Sequence, residues 1–147
     1  MELTPNMVLM NQSYNTKEEA IHAAGQLLLS AGCVDKGYLD AMQEREKIVS
    51  TYAGNFVAIP HGTDEAKECI HKSGISIIQV PQGVSFGKTE DGDEQCATIL
   101  FGIAGIGDEH MDILQEIAIF CSQLENVAKL ADAQTEEELI NFFKGEQ

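Results

Sequence analysis

The longest apolar run of the chain, Ala97 to Gly107, reads ATILFGIAGIG. Its first eight residues predict a β-strand that is buried on both faces, and the whole run is too short to cross a bilayer. Two shorter apolar segments, Phe56 to Ile59 and Ile75 to Val80, are also predicted as strands. Pro60 and Pro81 follow them directly and are expected to end them, because proline cannot donate to a ladder.

Helical patterns lie between and around these strands. Thr16 and Glu19 have the spacing of a capping box, and Gly32 is placed to end the helix that follows them. Asp35 is expected to cap a second helix, which the apolar pattern extends to about Glu46.

The second half of the chain repeats this alternation. A short helix is predicted over Asp64 to His71, and Asp108 is expected to cap a long helix that includes Leu124. Thr135 and Glu138 repeat the capping-box spacing before a final helix. Helices that alternate with apolar strands predict an α/β sandwich, with a central sheet buried on both faces. Its 147 residues fit one domain, 1–147.

Composition excludes several classes of function. The chain has 9 Lys+Arg against 24 Asp+Glu, a formal charge of −15, so general binding to a nucleic-acid backbone or to an anionic membrane is excluded. A hydrophobic share of 44% excludes disorder. The first residues lack the basic start and long apolar stretch of a signal peptide, so we expect a cytoplasmic protein with no membrane insertion.

The four cysteines are widely scattered and form no CxxC pair: Cys33, Cys69, Cys96 and Cys121. Buried reduced thiols are therefore favoured over a metal site or a disulfide framework, and no cofactor is indicated. Gly102, Gly105 and Gly107 have the order GxxGxG rather than the GxGxxG of a dinucleotide loop. They favour a tight strand-to-helix turn, with close approach to a phosphoryl group as the alternative.

His61 is the first candidate for chemistry, because it follows a predicted buried strand directly. Functional groups of α/β folds collect at strand ends, where loops leave the sheet. Pro60 restricts the backbone on one side of it and Gly62 relaxes the backbone on the other. Such a frame can hold an imidazole in a fixed pose. The alternative is a turn histidine with no chemical task.

Two further candidates carry a hydrogen-bond donor that suits an anion. His110 lies in the first turn of a predicted helix, where a neutral imidazole can donate to a phosphate or carboxylate oxygen. Arg45 is the only arginine, and no acidic residue stands three or four positions away from it. A guanidinium suits a bidentate grip on a phosphoryl group. The alternatives are a polar residue at a helix start and a solvated charge at a helix end. His22 and His71 are predicted to have no role.

These segments together resemble the IIA domain of the mannitol/fructose branch of the bacterial phosphotransferase system. The similar segments are TKEEAI (16–21), EREK (44–47), STY (50–52), AIPHGT (58–63) and EH (109–110). The similarity covers roughly Leu9 to Phe143. Within it, the residues from Arg45 to Lys67 are more similar to the mannitol-type proteins than to the nitrogen-regulatory ones.

The resemblance implies a mixed five-stranded sheet flanked by helices, and a phosphotransferase activity. It implies that the carrier HPr hands a phosphoryl group to Nε2 of His61, which passes it to a cysteine on the IIB domain of a sugar permease. The family's second histidine and its arginine fall on His110 and Arg45. The scheme requires no metal and no cofactor. Two alternatives stay open: a nitrogen-type regulatory module that phospho-His61 switches, and a metal-dependent hydrolase that uses His61 and His110.

Overall fold

The structure, a computed structural model, describes residues 3–145 and is built around one mixed sheet. Its strands are β1 (Val8–Leu9), β2 (Tyr52–Gly54), β3 (Val57–Ala58), β4 (Gly74–Lys88) and β5 (Glu94–Ala104). They lie in the order β1-β4-β5-β3-β2. The pairs β1–β4 and β3–β5 are parallel, whereas β4–β5 and β2–β3 are antiparallel. The mixed five-stranded sheet implied by the resemblance is therefore confirmed.

Helices cover both faces of this sheet. They are α1 (Lys17–Ser30), α2 (Gly37–Ile48), α3 (Glu109–Cys121), α4 (Leu124–Asp132) and α5 (Glu136–Lys144), with 3₁₀ helices at Pro5–Met7 and Asp64–Cys69. On one face Ser76 Oγ donates to the carbonyl of Ala24 in α1. On the other face the buried amide of Gln79 donates to the carbonyls of Leu130 and Ala133, where α4 ends. Because side chains alternate along a strand, Ser76 and Gln79 point to opposite faces.

Both predicted capping sequences start a helix. At α1, Thr16 Oγ1 accepts from the Glu19 amide at 3.2 Å, and the Glu19 carboxylate accepts from the Thr16 amide at 3.1 Å. At α5, Thr135 Oγ1 accepts from the Glu138 amide, but the Glu138 carboxylate accepts from the amide of Gln134 instead. The two helix starts were readable from sequence because a capping box is made of local contacts.

The expectation that a strand ends at Pro81 is wrong, since β4 continues through it to Lys88. The register with β5 shifts between Gln79 and Val84, so the missing N–H falls at an irregularity of the ladder. The polar segment beyond Lys88 is then the turn of a long β4–β5 hairpin. The strand predicted from Phe56 is also shorter, because Phe56 has a φ of 66° and lies outside β3.

The cap predicted at Asp35 is wrong as well. The N-cap of α2 is Lys36, and the Asp35 carboxylate lies 2.6 Å from Nε2 of His71 instead. His71, 36 positions away in the chain, thus contacts the carboxylate that the local pattern predicted to cap α2. Asp108 does occupy the N-cap of α3, but its side chain makes no capping hydrogen bond.

The long helix predicted to include Leu124 is two helices. Helix α3 ends at Cys121, and Leu124 begins α4. Side-chain amides replace the lost helical donors at this break: Asn126 donates to the carbonyl of Phe120, and Asn55 donates to that of Cys121. Within residues 3–145, no helix combines the length and the apolar character that a membrane span requires.

Candidate functional site

Strands β3 and β5 place His61 at an edge of the sheet where their carboxyl ends meet. The two strands are parallel, with Ala58 opposite Leu100, and an isolated parallel bridge pairs His61 with Ile103 beyond the end of β3. The Ile103 amide donates to the carbonyl of Pro60 at 2.9 Å. The prediction that His61 follows a buried strand is therefore confirmed, because Val57 and Ala58 are fully buried.

One nitrogen of the half-buried His61 ring is fixed and the other is free. Nδ1 lies 2.8 Å from the carbonyl oxygen of Ile59, which can only accept, so Nδ1 carries the proton. Nε2 then has an unshared electron pair, and no side chain or backbone group among residues 3–145 is hydrogen-bonded to it. The ring presents a nucleophilic nitrogen without a partner.

Burial lowers the pKa of His61 and keeps this ring neutral. The bond to Ile59 and the Glu46 carboxylate act in the opposite direction, while the charge of Arg45, and that of His110 whenever it is protonated, lower the pKa further. A neutral ring at neutral pH is the form that attacks an electrophile.

His110 stands beside His61 in the first turn of α3. The two ring centroids are 5.4 Å apart, with an angle of 60° between the rings. Gly105 makes this approach possible, because a Cβ there would overlap the backbone of His110. Burial lowers the pKa of His110; nearby Asp64 raises it and Lys67 lowers it. The site thus contains a second imidazole that is neutral and can donate one hydrogen bond.

A cleft of about 250 Å³ opens beside the His110 imidazole. It is lined by the segment after β3, the 3₁₀ helix and the turn after β5, including Gly62, Thr63, Lys67, Gly105 and His110. The Lys67 ammonium and the His110 imidazole line this space together with the Asp64 carboxylate and the apolar side chains of Ile70 and Met111. The cleft thus offers hydrogen-bond donors next to His110, with one carboxylate of opposite charge on its wall.

Arg45 occupies the last turn of α2 and has no acidic partner among the described residues. One Nη1–H donates to the carbonyl of Val49 at 2.6 Å, where the helix ends. The remaining N–H groups of the guanidinium are not used by that bond. Arg45 thus closes a helix end, and the grip on a phosphoryl group that the sequence suggested for it stays a prediction.

Glu46 is a site feature that the sequence reasoning missed. Its carboxylate is buried and accepts from the amide and hydroxyl of Thr51 at 2.9 and 2.6 Å and from Lys17 at 3.2 Å. Burial raises its pKa, but these bonds outweigh burial and lower it. They fix the chain just after Arg45. The segment EREK carried a signal, since a glutamate within an apolar helix face needs partners.

The remaining candidates lie outside the site. His22 is exposed on α1, and His71 is exposed and paired with Asp35. Gly102 packs within β5 against Ser76 and Ala24, so only Gly105 and Gly107 belong to the predicted turn. The four cysteines are free thiols, of which Cys33 and Cys121 are buried. Over residues 3–145, no three His, Cys, Asp or Glu residues are grouped as metal ligands.

Known proteins are similar to this chain in sequence and in structure over nearly its whole length. The family model described as "Phosphoenolpyruvate-dependent sugar phosphotransferase system, EIIA 2" matches residues 1–146. The mannitol-specific phosphotransferase enzyme IIA component of Enterococcus faecalis is 54% identical over 137 residues, 93% of each chain. Its counterpart from Bacillus subtilis is 49% identical over 141 residues, 96% of this chain and 95% of that one.

Two solved structures from Escherichia coli have the same fold. The crystal structure of IIA mannitol has a TM-score of 0.88 and 34% identity, and the match covers 97% of this chain and 99% of that one. The complex of enzyme IIA mannitol with phosphorylated enzyme IIB mannitol has a TM-score of 0.90 and 33% identity, covering 98% of each chain.

Proposed function

The chain belongs to the EIIA 2 family of the phosphoenolpyruvate-dependent sugar phosphotransferase system, and from that premise we propose how its site moves a phosphoryl group. His61 accepts the group on Nε2 from phospho-HPr and passes it to the cysteine of a IIB domain. The observation that carries this proposal is the His61 ring itself, with Nδ1 held by the Ile59 carbonyl and Nε2 without a hydrogen-bond partner in the described part of the chain.

The chemistry is two in-line displacements at phosphorus: the first exchanges one N–P bond for another, and the second exchanges an N–P bond for an S–P bond. The Nε2 lone pair attacks phosphorus while the bond from phosphorus to the HPr imidazole breaks, and that electron pair returns to the leaving imidazole. In the second step the cysteine thiolate of the IIB domain attacks phosphorus, and the His61 imidazole leaves. Because donor and first acceptor are both imidazoles, the protein need supply mainly alignment and charge stabilisation.

In this scheme Arg45 and His110 stabilise the phosphoryl group during its transfer. Its negative charge is spread over the equatorial oxygens, where positioned donors stabilise it most. The ring centroid of the neutral His110 lies 5.4 Å from that of His61, and His110 can donate one hydrogen bond. The guanidinium of Arg45 supplies local positive charge in a chain of net charge −15.

The relatives support the choice of acceptor. The proteins at 54% and 49% identity are named mannitol-specific, and one solved relative is in complex with a phosphorylated mannitol IIB. We therefore propose a mannitol permease as the acceptor, HPr as the donor and the cytoplasm as the compartment, with residues 1–147 acting as one domain. The alternative, a nitrogen-type regulatory module, is less favoured because the mannitol-type relatives are so similar.

Removing His61 gives the direct test. We expect His61→Ala to acquire no phosphate from labelled phospho-HPr, whereas the exposed control His22→Ala is labelled like the wild type. The labelled wild type should then pass its phosphate to a purified mannitol IIB domain faster than to other IIB domains. An acid-labile phosphate on His61→Ala at the wild-type level contradicts the assignment.

Arg45→Ala and His110→Ala test the two stabilising groups. Each should slow single-turnover transfer by about 10²-fold, the usual effect of removing one such donor, with an unchanged far-UV spectrum. Wild-type rates in both variants would remove these residues from the mechanism.

A further inference from the structure

The side chain of Tyr38 joins the two segments that meet at His61. Tyr38 lies in the first turn of α2 and is only 2% exposed. Its hydroxyl donates to the carbonyl of Ile103 at 2.6 Å and accepts from the amide of Gly62 at 2.9 Å. One buried hydroxyl therefore connects the end of β5 to the residue directly after the histidine.

This hydroxyl occupies a defined place in the sheet. His61 is paired with Ile103, and Pro60 accepts from the Ile103 amide. In a parallel ladder the next bond would run from the Gly62 amide directly to the Ile103 carbonyl. The Tyr38 hydroxyl is hydrogen-bonded to both of those groups. One buried hydroxyl thus ties the two segments together at the point where His61 stands.

Contact with the ring of Tyr38 fixes the same residue sterically. A Cβ built on Gly62 would lie 2.5 Å from Cε1 of Tyr38, so the backbone of Gly62 rests directly on the ring. Burial raises the pKa of Tyr38 to about 12, so the hydroxyl keeps its proton and can donate at any physiological pH. A hydrogen bond and a packing contact therefore both hold the position after His61.

We propose that Tyr38 is a positioning residue for the phosphoryl transfer, an inference that rests on the proposed function. Tyr38 does not touch the phosphoryl group. It fixes the backbone directly after His61 to the end of β5, so that Nδ1 stays on the Ile59 carbonyl and Nε2 stays open. Without the bridge, the ring exchanges between tautomers and poses, and attack on phosphorus slows.

A second tyrosine provides a matched control. The hydroxyl of Tyr52 donates to the carbonyl of Cys96 at 3.1 Å and accepts from the amide of Phe56 at 3.2 Å. It thus makes the same two bonds to the backbone, at the opposite end of β3. Tyr52→Phe removes the same atoms and the same kind of bridge as Tyr38→Phe, but away from His61.

The test compares the two variants by stopped single turnovers from phospho-HPr and by ¹⁵N NMR of the His61 ring. Both should have a lower Tm than the wild type. Only Tyr38→Phe should lower the limiting transfer rate, by about ten- to a hundred-fold, with an unchanged half-saturating concentration of phospho-HPr. Only Tyr38→Phe should also raise the fraction of His61 that carries its proton on Nε2.

The outcomes separate the inference from the function it rests on. Equal rates and equal His61 tautomers in the two variants overturn the role of Tyr38 while the proposed function stands. If the wild type takes up no phosphate, the proposed function fails, and the tautomer fraction alone decides whether Tyr38 positions the ring. If Tyr38→Phe does not fold, Tyr38→4-aminophenylalanine restores a donor and should keep a rate nearer to the wild type.

Discussion

The two ends of strand β3 are built by different means, although a tyrosine hydroxyl bridges each of them to β5. At the amino end, Asn55 and Phe56 have φ angles of 49° and 66°, which side chains adopt only at a cost. At the carboxyl end, the residues around His61 avoid the left-handed region. Backbone strain often marks functional sites, but here it marks a tight turn. The histidine end is defined by close contacts instead.

The largest effect should come from a methyl group at the histidine end. Gly62→Ala places a Cβ against the buried ring of Tyr38, which cannot yield without losing its bond to Ile103. We expect a free energy of unfolding lower by about 1–3 kcal/mol and a transfer rate lower by about 10²-fold. Stopped-flow transfer and denaturant titration measure the two quantities.

The matched change at the other end of the strand is Gly54→Ala. Gly54 has a φ of 87°, and an added Cβ there has open space around it. We expect backbone strain to lower the free energy of unfolding by about 1 kcal/mol and the transfer rate to stay unchanged. If Gly62→Ala transfers at the rate of Gly54→Ala, the contrast between the two ends is broken.

The next effect concerns pH at the histidine end. Burial and the charge of Arg45 lower the pKa of His61, so the acid limb of the transfer rate should lie below the ordinary histidine value of about 6.5. Arg45→Ala removes one cause, and both the limb and the NMR titration of His61 should move upward. His22→Ala is the control, and an unmoved His61 titration in Arg45→Ala contradicts the coupling.

The same shifts predict how stability depends on pH. The pKa values of His61 and His110 are lowered in the folded state, so the unfolded chain binds more protons between those values and about 6.5. The two neutral rings therefore contribute to the free energy of unfolding in full above about pH 6.5, and this contribution is lost as the pH falls through the window. Loss of the same contribution on raising the pH would contradict the sign.

A smaller effect should follow from breaking the link between α3 and the tight turn at the amino end of β3. The Asn55 amide donates to the carbonyl of Cys121 at 2.9 Å, where α3 ends. Asn55→Ala should lower the free energy of unfolding by about 1 kcal/mol, since it removes one hydrogen bond and puts alanine at a positive φ. The transfer rate should be unchanged, and a slower rate would mean that the amino end of β3 also shapes the site.

The smallest effect, and one of opposite sign, is expected at Phe56. Asparagine tolerates a left-handed backbone better than phenylalanine, and Phe56 is 48% exposed, so little packing is lost. Phe56→Asn should raise the free energy of unfolding by about 0.5 kcal/mol and leave transfer unchanged. A destabilised variant would show that the ring contributes more than its backbone conformation costs.

Local signals made much of this molecule predictable. The helix starts at Thr16 and Thr135 follow from residues three positions apart, and the place of His61 follows from an apolar segment that proline ends. It was also visible that Arg45 has no acidic residue three or four positions away, because these positions are its neighbours on a helix surface. The family resemblance supplied the five-strand count, since β1 and β2 have only two and three residues and no readable period.

The errors share one physical reason. Pro81 lies within a strand because a shift in register against β5 absorbs its missing N–H. Asp35 leaves its helix because His71 approaches from a distant segment. The helix break before Leu124 is stabilised by Asn55, which is 66 positions from Cys121. Each outcome depends on a partner that no window of sequence contains.

The sequence by itself determined the alternation of helices and strands, the strand end that carries His61 and the supply of one arginine to an acidic chain. Tertiary structure decided which groups meet there. The approach of the His61 and His110 rings to 5.4 Å, the ion pair of Glu46 with Lys17 and the Tyr38 bridge all join segments far apart in the chain. Hydrogen-bonding capacity is a property of a residue type, whereas its partner is a property of the fold.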